Sequence, residues 1–96
     1  MNKYEIMFIV KTTIDEATVK ETANSLKSVI TTLKGKITED RELGRKDLAY
    51  PIKKEISGFY YVFKCEANPK ATEEFERKAR LNENVLRHLI IKLDEE

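Results

Sequence analysis

The sequence predicts an α+β fold of element order β-α-β-β-α-β. It is one four-stranded antiparallel sheet, strand order 4-1-3-2, with two helices on one face. Three observations predict it. Apolar residues recur at strand-like spacing in four segments and at helix-like spacing in two, in that order. Right-handed crossovers applied to each β-α-β half interleave the halves, which makes the first and third strands central. Pro51 has no N–H to donate, so the second strand must lie at an edge, where that order independently puts it.

The first strand covers residues 3–10, KYEIMFIV, rich in β-branched and aromatic side chains. Tyr4, Ile6, Phe8 and Val10 fall on one face and Met7 and Ile9 on the other, as suits a central strand. The next segment changes period: Val19, Ala23, Leu26, Ile30 and Leu33 form the single stripe of an amphipathic helix. Thr13 with Glu16 fits a capping box, Asp15 is a competing cap, and Gly35 suits the C′ position that ends the helix. A second strand runs from Lys36 to Ile52, with a bulge or bend expected near Gly44. KKEISG, residues 53–58, reads as the loop into a third strand, FYYVFKCEA. Asn68 and Pro69 fit the cap and first position of a second helix that reaches about Leu81 and carries Phe75 and Ala79 four apart. NVLRHLIIKL, residues 84–93, is the last strand, and DEE is a solvated acidic end. Residues 1–96 contain no internal repeat, low-complexity tract or linker, and read as one domain.

Composition excludes several classes. With 41% hydrophobic and 36% charged residues and only three glycines, the chain reads as globular and soluble. No apolar run approaches a membrane span, and the opening MNKYEIMFIVKTT reads as strand rather than signal peptide. A lone cysteine, Cys65, fits a reducing cytoplasm. A net charge of +1 means that any nucleic-acid binding must come from the placement of cations, not their surplus.

The residues offer no catalytic constellation. His88 has no second His or Cys near it in sequence, so neither a metal nor a cofactor is expected. Cys65 is in phase with Phe59, Tyr61 and Phe63 and reads as a small core residue, not a nucleophile. The loop KTTID after the first strand lacks the glycine and arginine of an acylphosphatase-like phosphate cradle. The octet SGFYYVFK partly matches the RNA recognition motif, but Phe59 and Tyr61 share parity with Phe63 and Cys65 and so face the core rather than bases.

The element order is that of the ferredoxin-like folds, and one of their families is matched in detail. GRKDLAYPIKKEISGFYYVFKCEANP in the middle of the chain, YEIMFIV at its start and NENVLRHLIIKLD at its end closely resemble the bacterial small-subunit ribosomal protein six family. The likeness spans nearly the whole chain and departs at Leu43 and Asp47. It implies a cytoplasmic, ribosome-associated structural protein that binds the central domain of 16S ribosomal RNA together with ribosomal protein eighteen of the small subunit. It implies no membrane and no small-molecule substrate. A ferredoxin-like small-molecule-binding or regulatory domain that dimerises through its open sheet face is the alternative, and the glycine-poor loops count against it.

Two sets of site residues follow from strand parity. Met7, Ile9, Tyr60, Val62, Leu86 and Ile90 are expected on the open face as an apolar partner-binding patch. Lys3, Lys64 and Lys92 are expected to share that face as a row of cations on three adjacent strands, spaced to meet RNA phosphates. Arg87, Arg45 and Lys46 are further RNA-binding candidates, and Lys53 and Lys54 are within reach of phosphate.

Overall fold

The computed structural model describes residues 2–93; the acidic end expected at 94–96 lies outside the described residues. Strands β1 (Asn2–Lys11), β2 (Lys36–Ile52), β3 (Glu55–Ala67) and β4 (Val85–Leu93) and helices α1 (Glu16–Thr32) and α2 (Pro69–Leu81) follow in the predicted β-α-β-β-α-β order. The strands form one sheet in the order β2-β3-β1-β4, every neighbouring pair antiparallel. Pro51 is therefore on an edge strand.

The core lies between the sheet and the helices because β1 and β3 present matching apolar parities. Tyr4, Ile6, Phe8 and Val10 stand opposite Cys65, Phe63, Tyr61 and Phe59 in register. The helices contribute Val19, Ala23, Leu26 and Ile30 from α1 and Ala71, Phe75 and Ala79 from α2. The Phe8 ring stacks on Tyr61 at 5.1 Å, and Phe75 lies between Phe8 and Phe63 at 6.1 and 5.9 Å. Full burial of each of these phenylalanines contributes about 1.5–3 kcal/mol.

The helix ends hold one confirmation and two corrections. Asn68 caps α2 by accepting from the Ala71 N–H at 2.9 Å, with Pro69 in the first turn. At α1 the cap is Asp15, whose carboxylate accepts from the Thr18 hydroxyl, whereas Thr13 donates to Glu55 across the molecule, so no capping box forms. At the other end the left-handed residue is Lys34, φ 70°, not Gly35. Lys34 N–H donates to the Thr31 carbonyl and Gly35 N–H to that of Ile30, the paired bonds of a Schellman motif. Gly35 is needed for a different reason. A Cβ there would lie 2.6 Å from Ile30 Cγ2, 2.8 Å from the Ile30 carbonyl oxygen and 3.1 Å from that of Glu66.

The β2–β3 hairpin is longer and more irregular than expected. Ile52 pairs with Glu55, so β3 begins four residues before Phe59 and only Lys53 and Lys54 form the turn. Both have positive φ, 50° and 68°, as a two-residue hairpin turn matching the strand twist requires. The expected break near Gly44 is a bulge between Glu42 and Gly44, where Gly44 takes φ 82°. A larger irregularity follows: between the Asp47–Ser57 and Ile52–Glu55 pairs, residues 48–51 oppose Ile56 alone. That excess makes LAYP an arch.

Strand β4 corrects the parity reading. Ile90 pairs with Ile6 and Lys92 with Tyr4, both β1 residues of the core face, so Ile90 and Lys92 are on the helix side and not on the open face. Leu89, Ile91 and Leu93 take the open side instead, opposite Met7, Glu5 and Lys3. The physical cause is a bulge: the register with β1 steps from Arg87 to Val85, leaving Leu86 as an extra residue. Alternation carried through that residue inverts, so Leu86 and Ile90, four apart, point to opposite faces.

Candidate interaction surface

The open face of the sheet is a grid whose rows are set by register. One row runs Val62, Met7, Leu89 across β3, β1 and β4, and the next toward the hairpin tip runs Tyr60, Ile9, Arg87. On the other side lie Lys64, Glu5, Ile91 and then Glu66, Lys3, Leu93. The face therefore divides into an apolar half near the hairpin tip and a charged half near the ends of β3 and β4.

The arch folds over the apolar half. Leu48, Ala49, Tyr50 and Ile52 border a groove whose floor includes Met7, Ile9 and Tyr60. Arg87 Nη1 donates to the Tyr50 hydroxyl at 2.8 Å and ties the arch to β4. Ile9 is only 3% exposed and Leu86 only 6%, although neither belongs to the core between sheet and helices. These two expected patch residues are covered by the chain itself and present almost no surface to a partner. Gly58 permits the closeness, since a Cβ there would lie 2.3 Å from Ile9 Cγ2 and 3.7 Å from Leu86 Cδ1. What remains open is Met7, Tyr60 and Val62, each half-buried, with Leu89 and Ile91 each 47% exposed and Tyr50 exposed beside them. Leu89, Ile91 and Tyr50 were missed in sequence. Isoleucines at 90 and 91 make β4 apolar on either parity, and nothing in the periodicity of LAYP says where it will close.

The expected three-lysine row does not form, because Lys92 is on the other face. Lys3 and Lys64 do share the open face, but acids alternate with them. Lys64 stands between Glu5 and Glu39, and Lys3 opposite Glu66, which itself faces Lys36. Lys64 Nζ is 3.9 Å from a Glu39 carboxylate oxygen. This checkerboard of alternating charge nearly cancels at a distance. Arg45 and Lys46 are separated by the pleat: Arg45 shares the helix side with Phe59, while Lys46 shares the open side and puts its ammonium 5.7 Å from the Tyr60 ring centre.

The remaining titratable candidates sit in structural settings. Cys65 is buried, and burial pushes its thiol up to about 11. Burial, with the Glu42 and Glu16 carboxylates nearby, also raises the Tyr61 phenol. His88 Nε2 lies 3.8 Å from Glu76 on α2. Among the described residues no group of His, Cys, Asp or Glu side chains is arranged to hold a metal ion, and no helix is long and apolar enough to cross a membrane.

Comparison with known proteins bears on fold and family. A family model described as ribosomal protein S6 matches residues 3–92. The small ribosomal subunit protein bS6 of Helicobacter acinonychis is 44% identical over 94 residues, an alignment covering 98% of this chain and 66% of that protein. The chain thus spans just under two thirds of the Helicobacter protein's length. The bS6 protein of Phytoplasma australiense is 41% identical over 92 residues, covering 96% of this chain and 99% of its own. The crystal structure of 30S ribosomal protein S6 from Thermotoga maritima superimposes with a TM-score of 0.90 at 27% identity, over 96% of this chain and 87% of the other.

Proposed function

The chain belongs to the ribosomal protein S6 family, and we propose on that footing that it binds the central domain of 16S ribosomal RNA together with ribosomal protein eighteen. Membership makes it a structural protein of the small ribosomal subunit rather than an enzyme. The observation that carries the finer reading is the apolar patch on the open sheet face: Leu89 and Ile91, each 47% exposed, beside Met7, Tyr60 and Val62. A contiguous apolar patch bordered by charge is the form of a protein-protein contact, with an anchor-rich centre and a polar rim. Ribosomal protein eighteen covers this patch, and the arch 48–51 forms one wall of the contact.

RNA then meets the cations at the rim. Arg45 and Lys46 extend from the edge strand β2, Arg87 stands at the β4 side, and Lys3 and Lys64 lie in the charged half of the open face. Lys92 reaches phosphate only from the helix side. The protein works in the cytoplasm as part of the assembled subunit. Sedimentation of the tagged protein through a sucrose gradient of cell lysate tests this reading. It is expected in the small-subunit fractions, and its absence from them overturns the proposal.

A further inference from the structure

A second cationic site lies around the corner from the open face. A cleft of about 250 Å³ opens between the end of α2 and the start of β4. Lys53, Arg80, Arg87 and His88 line it over a floor of Ala79 and Val85, and none of its lining residues is acidic. The cations come from three separate elements. Lys53 is in the β2–β3 turn, Arg80 in the last turn of α2, and Arg87 and His88 in β4.

How each cation is held decides what the cleft can do. Lys53 Nζ donates to the Val85 carbonyl oxygen at 3.2 Å, and Arg87 donates to the Tyr50 hydroxyl at 2.8 Å. Both acceptors are neutral, so neither charge is cancelled. An ammonium has three donors and a guanidinium five, so most of their hydrogen-bonding capacity remains. Arg80 is 3.6 Å from Glu76, which also lies 3.8 Å from His88. Among these contacts Glu76 is the one carboxylate, set against Arg80, while Lys53 and Arg87 meet only neutral acceptors, which leaves a surplus of two positive charges over the three permanent cations. The carbonyl end of α2 accounts for Arg80 taken alone. It does not account for Lys53 and Arg87, which are brought in from other elements and pre-positioned by neutral groups.

We propose that this cleft binds a phosphate of the ribosomal RNA backbone, with Lys53, Arg80 and Arg87 as its donors. The inference rests on the ribosomal reading above and adds to it a site and a direction. Planar guanidinium forks suit phosphate oxygens, and an ammonium adds a point charge. Arg87 also lines the groove under the arch, so the RNA site and the protein-partner patch meet at one residue. A partner seated on the open face leaves the β4 edge exposed, and RNA runs along that edge.

The test is filter binding of a central-domain ribosomal RNA fragment across a salt series, with purified ribosomal protein eighteen present. The triple variant Lys53→Gln, Arg80→Gln, Arg87→Gln is expected to weaken binding at least about tenfold at low salt and to flatten the plot of log affinity against log salt by about two to three units. Arg80→Gln alone, which gives up only a surface ion pair, is expected to flatten it by about one unit. The control triple Lys20→Gln, Lys70→Gln, Arg77→Gln on the outer helix surfaces is expected to leave the slope near its wild-type value. An unchanged slope in both cleft variants overturns the site, as does an equal loss in the control. Loss of association with the protein partner at unchanged RNA slope also overturns it, and assigns the cleft to an acidic peptide instead. Failure of the wild-type protein to bind the RNA strikes the ribosomal reading itself and this site with it, an outcome distinct from wild-type binding with an unaffected variant.

Discussion

Truncation of Phe63 to alanine tests which way the sheet faces. Phe63 is 1% exposed and central in β3, with its ring 6.4 Å from Phe8 and 5.9 Å from Phe75, both edge-on. Emptying a buried phenylalanine site costs about 3–5 kcal/mol, because the cavity collapses only in part. Two well-oriented aromatic pairs, each worth roughly 0.5–1.5 kcal/mol beyond buried area, push the expectation to the upper half of that range, near 4 kcal/mol. At a urea slope of about 2 kcal/mol per molar, the unfolding midpoint falls by about 2 M. Tyr60, three residues earlier in β3, is the control. Its ring is half-buried on the open face, and Tyr60→Ala is expected to cost about 1 kcal/mol or less. Equilibrium urea titration followed by far-ultraviolet circular dichroism reads both. Equal destabilisation by the two variants, or a loss below about 2 kcal/mol for Phe63→Ala, would refute the assignment of faces.

Three further outcomes follow from the same geometry. Val62→Asp, Leu89→Asp and Ile91→Asp are expected to fold normally and to weaken pull-down of ribosomal protein eighteen, since an unpaired charge buried in an apolar contact is costly; undiminished binding by all three would move the partner site. Gly35→Ala is expected to lower stability by about 1–3 kcal/mol in the same titration, because two backbone carbonyls and Ile30 leave no room for a methyl group; a neutral result would mean the close approach relaxes freely. The Cys65 thiol, pushed up to about 11 from 9.0, stays protonated in the folded protein while the unfolded chain ionises, so its contribution is complete below about pH 9 and is lost as pH rises toward 11. Unfolding free energy measured across that window is expected to fall less steeply in Cys65→Ala, and identical slopes would refute the link.

Sequence periodicity disclosed the fold where an element has one apolar face. The stripe Val19, Ala23, Leu26, Ile30 named α1, and the alternation from Tyr4 to Val10 named both β1 and the side it buries. Pro51 marked the edge strand through a missing donor. The site was less legible. In VLRHLIIKL both parities are apolar, so burial alone cannot choose a face, and the bulge at Leu86 inverts any alternation carried through it. The ion checkerboard of Glu39, Lys64, Glu5 and Lys3 depends on register between strands distant in sequence. The cationic cleft depends on the same kind of closure, bringing Lys53 to a carbonyl 32 residues further along the chain.

The turn that carries Lys53 has a kinetic consequence. Two-residue hairpin turns of this type strongly prefer Asn-Gly, Asp-Gly or Gly-Gly, whereas here two lysines hold φ of 50° and 68°. Each left-handed non-glycine residue costs on the order of 1–2 kcal/mol. That cost is incurred locally, but the bond that offsets it, from Lys53 to the Val85 carbonyl, exists only once β4 has docked. The hairpin tip is therefore expected to close late, after the folding nucleus has formed elsewhere. Lys54→Gly should slow unfolding and leave the folding rate near its wild-type value, as expected of a position still unstructured in the transition state. Folding of this kind works from the packed aromatic centre outward and sets last the corner that holds the cationic cleft.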